Sequence, residues 1–581
     1  MKQMLLKPAM AASVFLISVA VCEIFAKPLF GVRHSAEYFA FNYVPFLVLS
    51  LLLFAVTNKS VFSFFVSGIF AIALVAVNNI KYSILGKPLI PSDFLLATHF
   101  FESPDLYLRY INVTSSSCVM LAVASMVLFY RIEKKQLTTT RKAVLLRVAI
   151  AAVALTFFAS IDNADSFVAK TYSRNSLRYS SWDPRSSVNS SGLFYTFIRL
   201  SEQADFSIPD HYGDPSLVKR AAGTAPDAQA PGKRPAPLPD IVVVQSESFY
   251  DLRQHDLRFD EAAYAGYDRT AKKAAVSGNL GVRTVGGNTA KSEFSFLTGI
   301  ESNVLPAGCE YPYRSLVRRN IWSIAWYLRS LGYSTIAIHP YTRTFWDRDI
   351  ALQFLGFDKF IDGGSFTVGQ MEGLYVSDQA VADSIAAVRR EAKSPLFIFA
   401  ITMENHGPWD KRRVANRRKF RIQGDVEAQD TTKIGRYLHH VANAGEMAFD
   451  MTRQMKKTGR PCVLAFYGDH APGFGGTLER IRLRPGRSVT ETPYFIWKNF
   501  GAPAHIGRDL DVSFLASEIL DQAGINDDVY FRANSYMKSA NGGIFGTIDQ
   551  SKELNRSYTQ LMYDNLLGKL PDVQFHSRKM L

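Results

Sequence analysis

The chain has 581 residues, 48% of them hydrophobic, and a formal net charge of +14. That length exceeds one ordinary domain, and the average composition hides a front half loaded with apolar residues. No nucleic-acid-binding motif accompanies the positive charge. It reads instead as basic loops beside membrane spans or as attraction to anionic lipid head groups, and nucleic acid is excluded as a partner.

Residues 1–165 read as a five-span transmembrane anchor. Between Lys7 and Lys27 the sequence carries one acid, Glu23, and is long enough to cross a hydrocarbon core of roughly 30 Å. Further apolar segments lie at about Tyr43–Asn58, Val61–Ile80, Val113–Tyr130 and Ala143–Ile161. Arg147, near the start of the last, can snorkel to the interface. A cleaved signal peptide accounts for the first segment but not for the rest. The loop "RIEKKQLTTTRK" (131–142), with Lys2, Lys7 and Lys59, is expected on the cytoplasmic side. An odd number of spans then places everything after Ile161 on the periplasmic or extracellular face of the inner (plasma) membrane.

Residues 166–238 read as an extracytoplasmic connector and flexible linker. Within them "LFYTFIRLSEQ" has the spacing of a short amphipathic helix, lying on the membrane surface or packed beneath the outer domain. "AAGTAPDAQAPGKRPAPLPD" (221–240) has no periodic apolar face and reads as a spacer.

From 239 to 545 short apolar runs alternate with helical stretches. "IVVVQS" (241–246), "STIAIHP" (334–340), "PLFIFAITM" (395–403), "PCVLAFYG" (461–468) and "PYFIWKN" (493–499) read as strands buried on both faces. Residues 318–332 and 377–392 have helical spacing, with Gly332 as a cap for the first. The fold class is therefore α/β with a mostly parallel central sheet. Residues 546–581 form a polar tail, expected to be loosely ordered. Among the four cysteines no C-x-x-C or zinc-finger spacing occurs, and a Cys309–Cys462 disulfide is the pairing left open outside the cytoplasm.

In open α/β sheets the ligand site lies beyond the carboxyl ends of the strands. Glu247 follows "IVVVQS"; Glu404, Asn405 and His406 follow "PLFIFAITM"; Asp469 and His470 follow "PCVLAFYG". Glu247, Asp469 and His470 supply two hard oxygens and one imidazole nitrogen, a set suited to Mn²⁺, Zn²⁺ or Mg²⁺. Thr289 in "GGNTAKSEFSFL" can complete it, because a hydroxyl held by a dication loses its proton far more readily and becomes a nucleophile. The plainer account of Thr289 is an N-cap, with Ser292 and Glu293 as capping partners. Taken singly, Asp469–His470 is equally a polar turn and Glu247 a solvated strand end; their joint placement after strands favours the site. His439 and His440 lie on a probable helix and read as packing or surface residues, and His339 ends a strand without an assigned role.

With "SESF", "GGNTAKSEF", "FWDRD", "MENHGP" and "YGDHAPG" in order, the chain resembles the lipoteichoic acid synthase and phosphoglycerol transferase family of the alkaline phosphatase and sulfatase superfamily. The resemblance implies that Glu247, Thr289, Asp469 and His470 bind one divalent metal ion, with Mn²⁺ first among the candidates. It further implies Thr289 as the nucleophile, with Trp346, Arg348 and His406 around the glycerol-phosphate group. Arg348 would offer its fork of donors to phosphate oxygens, and His406 a proton or hydrogen bond to a leaving oxygen. The implied reaction moves glycerol phosphate from phosphatidylglycerol to a glycan or glycolipid acceptor at the membrane through a phospho-threonine intermediate. The loop around Thr289 and the Ala/Pro-rich spacer point to a Gram-negative member, and away from lipoteichoic acid as the product. A phosphoethanolamine transferase shares the same logic with another lipid donor. A sulfatase lacks support, since no C/S-x-P-x-R motif lies near residue 289; an inactive envelope scaffold is the remaining alternative, opposed by the full ligand set.

Overall fold

The computed structural model describes residues 2–26, 35–85, 88–96, 113–137, 140–161, 163, 165–179, 184–202, 234–305, 309–409, 420–423, 426–474, 477–501, 504–544 and 553–570. The chain divides into two compact units, one made chiefly of residues 1–207 and one of the remainder.

The first unit is built on α1 (Lys2–Ala26), α2 (Ala36–Thr57), α3 (Ser60–Leu85), α4 (Val113–Ile132) and α5 (Arg141–Ala159). Four of these, α1, α2, α3 and α5, are long and apolar enough to cross a membrane, while the apolar part of α4 is the shorter Ser116–Ile132. Leu16, Leu145 and Val153 stay more than half exposed, as expected for side chains whose solvent is lipid. Arg147 turns back to donate to the carbonyls of Ala55 and Val56 at 2.8 Å each, so its charge caps the end of α2.

The basic residues expected together do meet at one end. Lys7 donates to Lys134 O at 3.1 Å, and Lys59 lies 3.7 Å from the centre of the Tyr130 ring. The Glu133 carboxylate accepts from Val61 N and Phe62 N at 3.1 and 2.7 Å, capping α3. At the other end of α2, Asn42 Oδ1 accepts from Phe194 N and Tyr195 N at 3.1 and 3.0 Å. This fixes α6 (Leu193–Glu202): the amphipathic segment packs on α2 through Phe194, against Tyr43 and Phe46.

The second unit is a sheet of nine strands. In chain order they are β1 (Asp240–Ser246), β2 (Val276–Gly281), β3 (Ser334–Ile338), β4 (Lys359–Ile361), β5 (Leu396–Ile401), β6 (Cys462–Gly468), β7 (Glu491–Lys498), β8 (Ile506–Gly507) and β9 (Leu510–Asp511). Across the sheet the order is β8-β2-β7-β6-β1-β5-β3-β4, with β9 also on β2. Only β7 runs antiparallel to its neighbours. The "PYFIWKN" run is thus a strand, but the reversed one.

Alternation along the strands sends side chains to both faces. Val242, Val244, Ile398, Ala400 and Phe466 pack with Ile385 of α9 (Asp378–Glu391) and Tyr437, Val441 and Met451 of α10 (Ala428–Lys457). On the opposite face Phe296, from α7 (Thr289–Thr298), lies 5.3 Å from Phe399 and 5.8 Å from Tyr467, centre to centre. The helix read at 318–332 starts only at Ile324, as α8 (Ile324–Ser330), because the Ser323 hydroxyl caps Ala325 N and Trp326 N. Gly332 follows it with φ +90°.

Two expectations are corrected. The tail is not loose where described: Glu553–Leu566 forms a helix, α12 (α11 being Leu515–Ala523), burying Tyr558, Leu561, Met562 and Leu566. Its Asn565 side chain brackets the Trp322 backbone, accepting from the N–H at 2.7 Å and donating to the carbonyl at 2.9 Å. None of the four cysteines is in a disulfide, Cys462 being buried in β6, so no Cys309–Cys462 bridge forms. Most of the 221–240 spacer, up to residue 233, lies outside the described residues.

Candidate active site

The carboxyl ends of β1 and β6 are neighbours, since Ser246 is in register with Gly468. The residues that follow them, Glu247 on one side and Asp469 and His470 on the other, therefore converge. Ser248 takes a left-handed turn (φ +50°) and ties the two together. Its N–H donates to Asp469 Oδ1 and its hydroxyl to Glu247 Oε1, both at 2.7 Å. One donor atom each from Glu247, Asp469 and His470 lies within 4.8 Å of the others, and all three residues are buried.

Thr289 enters from the turn Gly286-Gly287-Asn288, in which all three residues have positive φ; the two glycines allow it at little cost. The turn is stitched to the Asp469 loop. Thr284 Oγ1 and Ser292 Oγ donate to Asp469 O at 3.1 and 2.8 Å, and Gly286 N donates to Ala471 O at 2.8 Å. Thr289 is the first residue of α7, not its cap: Asn288 holds the N-cap position, without a side-chain capping bond. The supposed capping partners are used elsewhere, Ser292 on Asp469 and Glu293 on Arg348. The Thr289 hydroxyl lies 3.5 Å from His470 Nε2, beside the cluster.

These groups fit a divalent metal ion. Asp469 Oδ2 is buried without a hydrogen-bond partner, an arrangement that costs free energy unless a cation meets it. His470 Nδ1 faces Ala471 O at 2.9 Å; a carbonyl can only accept, so the proton sits on Nδ1 and the Nε2 lone pair faces the carboxylates. Burial first, then repulsion from Asp469, pushes the Glu247 carboxyl well above its ordinary range. Burial raises Asp469 as well. Two crowded carboxylates, an imidazole nitrogen and a hydroxyl suit a hard or borderline dication.

Trp346 and Arg348 come from the loop after β3. Trp346 and Asp347 are both left-handed (φ +61° and +54°), a costly conformation for bulky side chains and a common mark of functional loops. The Arg348 side chain is almost wholly buried. It pairs side-on with Glu293, Nε to Oε2 at 3.2 Å, and lies 4.9 Å from the Trp346 ring centre. One edge of the expected phosphate fork is thus already taken, leaving Nη1, 3.5 Å from Phe345 O. His406 Nδ1 is 2.8 Å from Gly407 O and 3.1 Å from the Tyr375 hydroxyl. By the argument used for His470, the proton sits on Nδ1 and the lone pair on Nε2. His339 is buried, with Nδ1 3.3 Å from Ile401 O; burial, with the charge of Arg348, holds its pKa well below the usual value, so it is neutral.

Residues 239–525 match the Sulfatase family model. A putative cyclic beta-1,2-glucan modification protein of Rhizobium meliloti is 26% identical over 473 residues, 78% of this chain and 72% of that protein. A lipoteichoic acid synthase of Staphylococcus saprophyticus is 27% identical over 190 residues, 32% of this chain and 28% of that one. The Streptococcus pyogenes phosphoglycerol transferase GacH, solved with sn-glycerol-1-phosphate, shares the fold at TM-score 0.54 and 19% identity, covering 63% of this chain and 96% of that one. These matches support the lipoteichoic acid synthase and phosphoglycerol transferase family of the alkaline phosphatase superfamily as the one this chain resembles. It is a sulfatase-like membrane transferase with a C-terminal soluble domain.

Sequence reading missed three residues that support the site. Ser248 and Tyr375 hold Glu247 and His406, and nothing in a lone serine or tyrosine marks such a role. Glu293 did leave a signal: it is a charged residue four positions after Thr289, on a helix whose other residues are mostly apolar or small. Glu404 and Asn405, by contrast, turn inward. Glu404 Oε1 accepts from His440 Nδ1 and Asn443 Nδ2 at 2.8 and 2.7 Å, and Asn405 Nδ2 donates to Ser248 O at 3.3 Å. His439 and His440 serve such packing contacts, His439 with Glu372 at 3.1 Å.

Proposed function

We propose that the protein transfers glycerol phosphate from phosphatidylglycerol to a hydroxyl of an envelope glycan or glycolipid, through a covalent phospho-threonine. The observation that carries this reading is the Thr289 hydroxyl at the head of a buried helix, 3.5 Å from His470 Nε2 and beside Glu247 and Asp469. The glucan-modifying name of the R. meliloti relative supports a glycan acceptor.

In the first half, Thr289 Oγ attacks phosphorus, its proton passes to solvent, and the bond from phosphorus to the diacylglycerol oxygen breaks. The departing oxygen takes a proton, for which His406 Nε2 is the candidate donor when the imidazole is charged. In the second half an acceptor hydroxyl attacks the same phosphorus and the bond from phosphorus to Thr289 Oγ breaks, that oxygen regaining a proton from solvent, while His406 returns to its charged state by taking the acceptor's proton. Arg348 Nη1 and Trp346 hold the glycerol-phosphate group, and the start of α7 favours the anion. A divalent ion, Mn²⁺ in this reading with Mg²⁺ or Zn²⁺ as alternatives, would be held by Glu247, Thr289, Asp469 and His470 and would ease ionisation of the hydroxyl while offsetting phosphate charge.

The distribution of basic residues supports the side of the membrane. Lys7, Lys59 and the 131–137 loop gather at one end of the helices, which is the cytoplasmic end by the excess of basic residues. With α4 counted as a fifth span, the chain presents its C-terminal domain to the periplasm, where lipid donors of the outer leaflet are met.

The test is to incubate full-length detergent-purified protein with phosphatidylglycerol and Mn²⁺ and to analyse the Thr289 peptide by mass spectrometry. A glycerophosphate adduct with diacylglycerol release is expected. Neither product, with metal demonstrably bound, would sink the proposal; faster release from phosphatidylethanolamine would identify a phosphoethanolamine transferase instead.

A further inference from the structure

Thr289 is reached through the turn Gly286-Gly287-Asn288, and the bonds that stitch this turn to the Asp469 loop leave from Thr284, Gly286 and Ser292. Just ahead of the nucleophile, two glycines and a left-handed asparagine give the backbone unusual freedom. The Asn288 side chain is 9% exposed and makes no capping bond. It reaches another element instead. Asn288 Nδ2 donates to Glu310 Oε2, and Lys291 Nζ stands 3.5 Å from Glu310 Oε1.

One carboxylate thus holds the residue before Thr289 and the residue two after it, with an oxygen for each. The Lys291 and Glu310 side chains are 16% and 20% exposed, and an ion pair at that separation is weak on its own. The hydrogen bond from Asn288 to a charged acceptor is the stronger grip. The stretch that carries Glu310 is itself well held. Tyr311 is buried, 6.2 Å from the Trp346 ring centre to centre. Pro312–Ser315 is a helical turn, and its Arg314 Nε pairs with Asp347 Oδ2 at 3.3 Å. Residues 310–314 therefore touch the left-handed turn ahead of Thr289 at one end and the left-handed loop of Trp346 and Asp347 at the other.

We propose that Glu310 is a positioning residue for the nucleophile: its carboxylate grips Asn288 and Lys291 and so fixes the Thr289 hydroxyl against Glu247, Asp469 and His470. This rests on the reading of Thr289 as nucleophile and metal ligand. A reacting group misplaced by about 1 Å can lose on the order of a hundredfold in rate. A residue that orients a metal ligand from outside typically contributes about tenfold or more to metal affinity. The effect of Glu310 on metal and substrate passes through Thr289.

The experiment measures Mn²⁺ affinity of the full-length, detergent-purified protein by calorimetric titration, without lipid or turnover. Glu310→Ala should weaken it about tenfold. Asn288→Gly keeps the left-handed turn but removes the gripped side chain, so it should weaken binding equally, and it carries the same comparison if Glu310→Ala fails to fold. Neither change should weaken binding further in a Thr289→Ala background. Additive losses there would show that Glu310 supports the fold at large and would overturn the proposal, as would an unaltered affinity. Glu310→Gln still accepts from Asn288 and loses only the ion pair with Lys291, so it should stay within about threefold of the wild type; a loss as large as that of Glu310→Ala overturns the proposal too. The titration separates the two readings. No Mn²⁺ binding by the wild type strikes the metal site itself, whereas binding indifferent to Glu310 strikes the positioning role alone. In parallel, kcat for phosphatidylglycerol should fall about a hundredfold in Glu310→Ala with KM unchanged. A raised KM with kcat unchanged would mean that Glu310 binds substrate, contrary to the proposal.

Discussion

Glu293 and Arg348 form a buried ion pair that joins the helix of the nucleophile to the loop of the substrate residues. Glu293 is fully buried and Arg348 is 1% exposed, and Glu293 stands one helical turn beyond Thr289. Removing one partner of such a pair leaves an uncompensated buried charge, which costs about 3–5 kcal/mol. Glu293→Gln and Arg348→Met should each lower the thermal midpoint of the detergent-solubilised protein. The double variant should recover much of the stability but none of the turnover. Recovery of both in the double variant would show that the pair serves folding alone. Arg348→Lys should fail to rescue either, since an ammonium cannot pair side-on through two N–H groups.

Thr289 and Asp469 should separate chemistry from metal binding. Thr289→Ala keeps two carboxylates and the imidazole of His470, so added Mn²⁺ should still stabilise it, while diacylglycerol release falls about 10³-fold or more. Asp469→Asn removes the carboxylate whose Oδ2 is otherwise unpartnered and should lose both. At a hundred times its dissociation constant, an ion that binds only the folded state adds about 2.7 kcal/mol. Chelation should therefore lower the melting temperature of the wild type and of Thr289→Ala alike, and that of Asp469→Asn little. Thermal melts with and without chelator measure this.

What the sequence makes legible here follows from burial. β1, β5 and β6 are covered on both faces, so each shows as an unbroken apolar run, and the polar residues that follow them are the site. The antiparallel direction of β7 leaves no such trace, because a buried strand has the same composition in either direction. Glu293 was obscured by its spacing, which imitates a capping box when the true cap, Asn288, uses a left-handed backbone and no side-chain bond. α12 was obscured for a related reason: Asn555, Gln560 and Asn565 are buried, so polar residues face the core and blur the apolar period.

That helix yields a prediction of its own. Deleting residues 553–581 would expose the surfaces covered by Tyr558, Leu561, Met562 and Leu566, at about 1.5–3 kcal/mol for each large apolar side chain. It would also strip both bonds from the buried Trp322 backbone, costing about 1–3 kcal/mol for each group left unmet. The sum reaches the whole stability of an ordinary domain. The truncated chain should aggregate or be degraded on expression, and recovery of a monodisperse, active truncation would refute the structural role.

Asp528 offers a pH test away from the site. Its carboxylate caps the helix Val529–Ala540, accepting from Phe531 N at 3.0 Å, and receives Trp322 Nε1 at 3.4 Å. Burial nevertheless outweighs these bonds and raises its pKa to about 6. A carboxyl that holds its proton more tightly when folded contributes stability that is fully present below its unfolded pKa of about 4. That contribution is lost as pH rises through about 6. Asn is an equally good N-cap and carries no charge to desolvate. Asp528→Asn should therefore match the wild type near pH 4 and exceed it by on the order of 1–2 kcal/mol at pH 7.5, the side chain being partly exposed. Chemical denaturation of the full-length protein across that range checks it: a stability difference independent of pH would mean that Asp528 is ionised in the folded protein throughout.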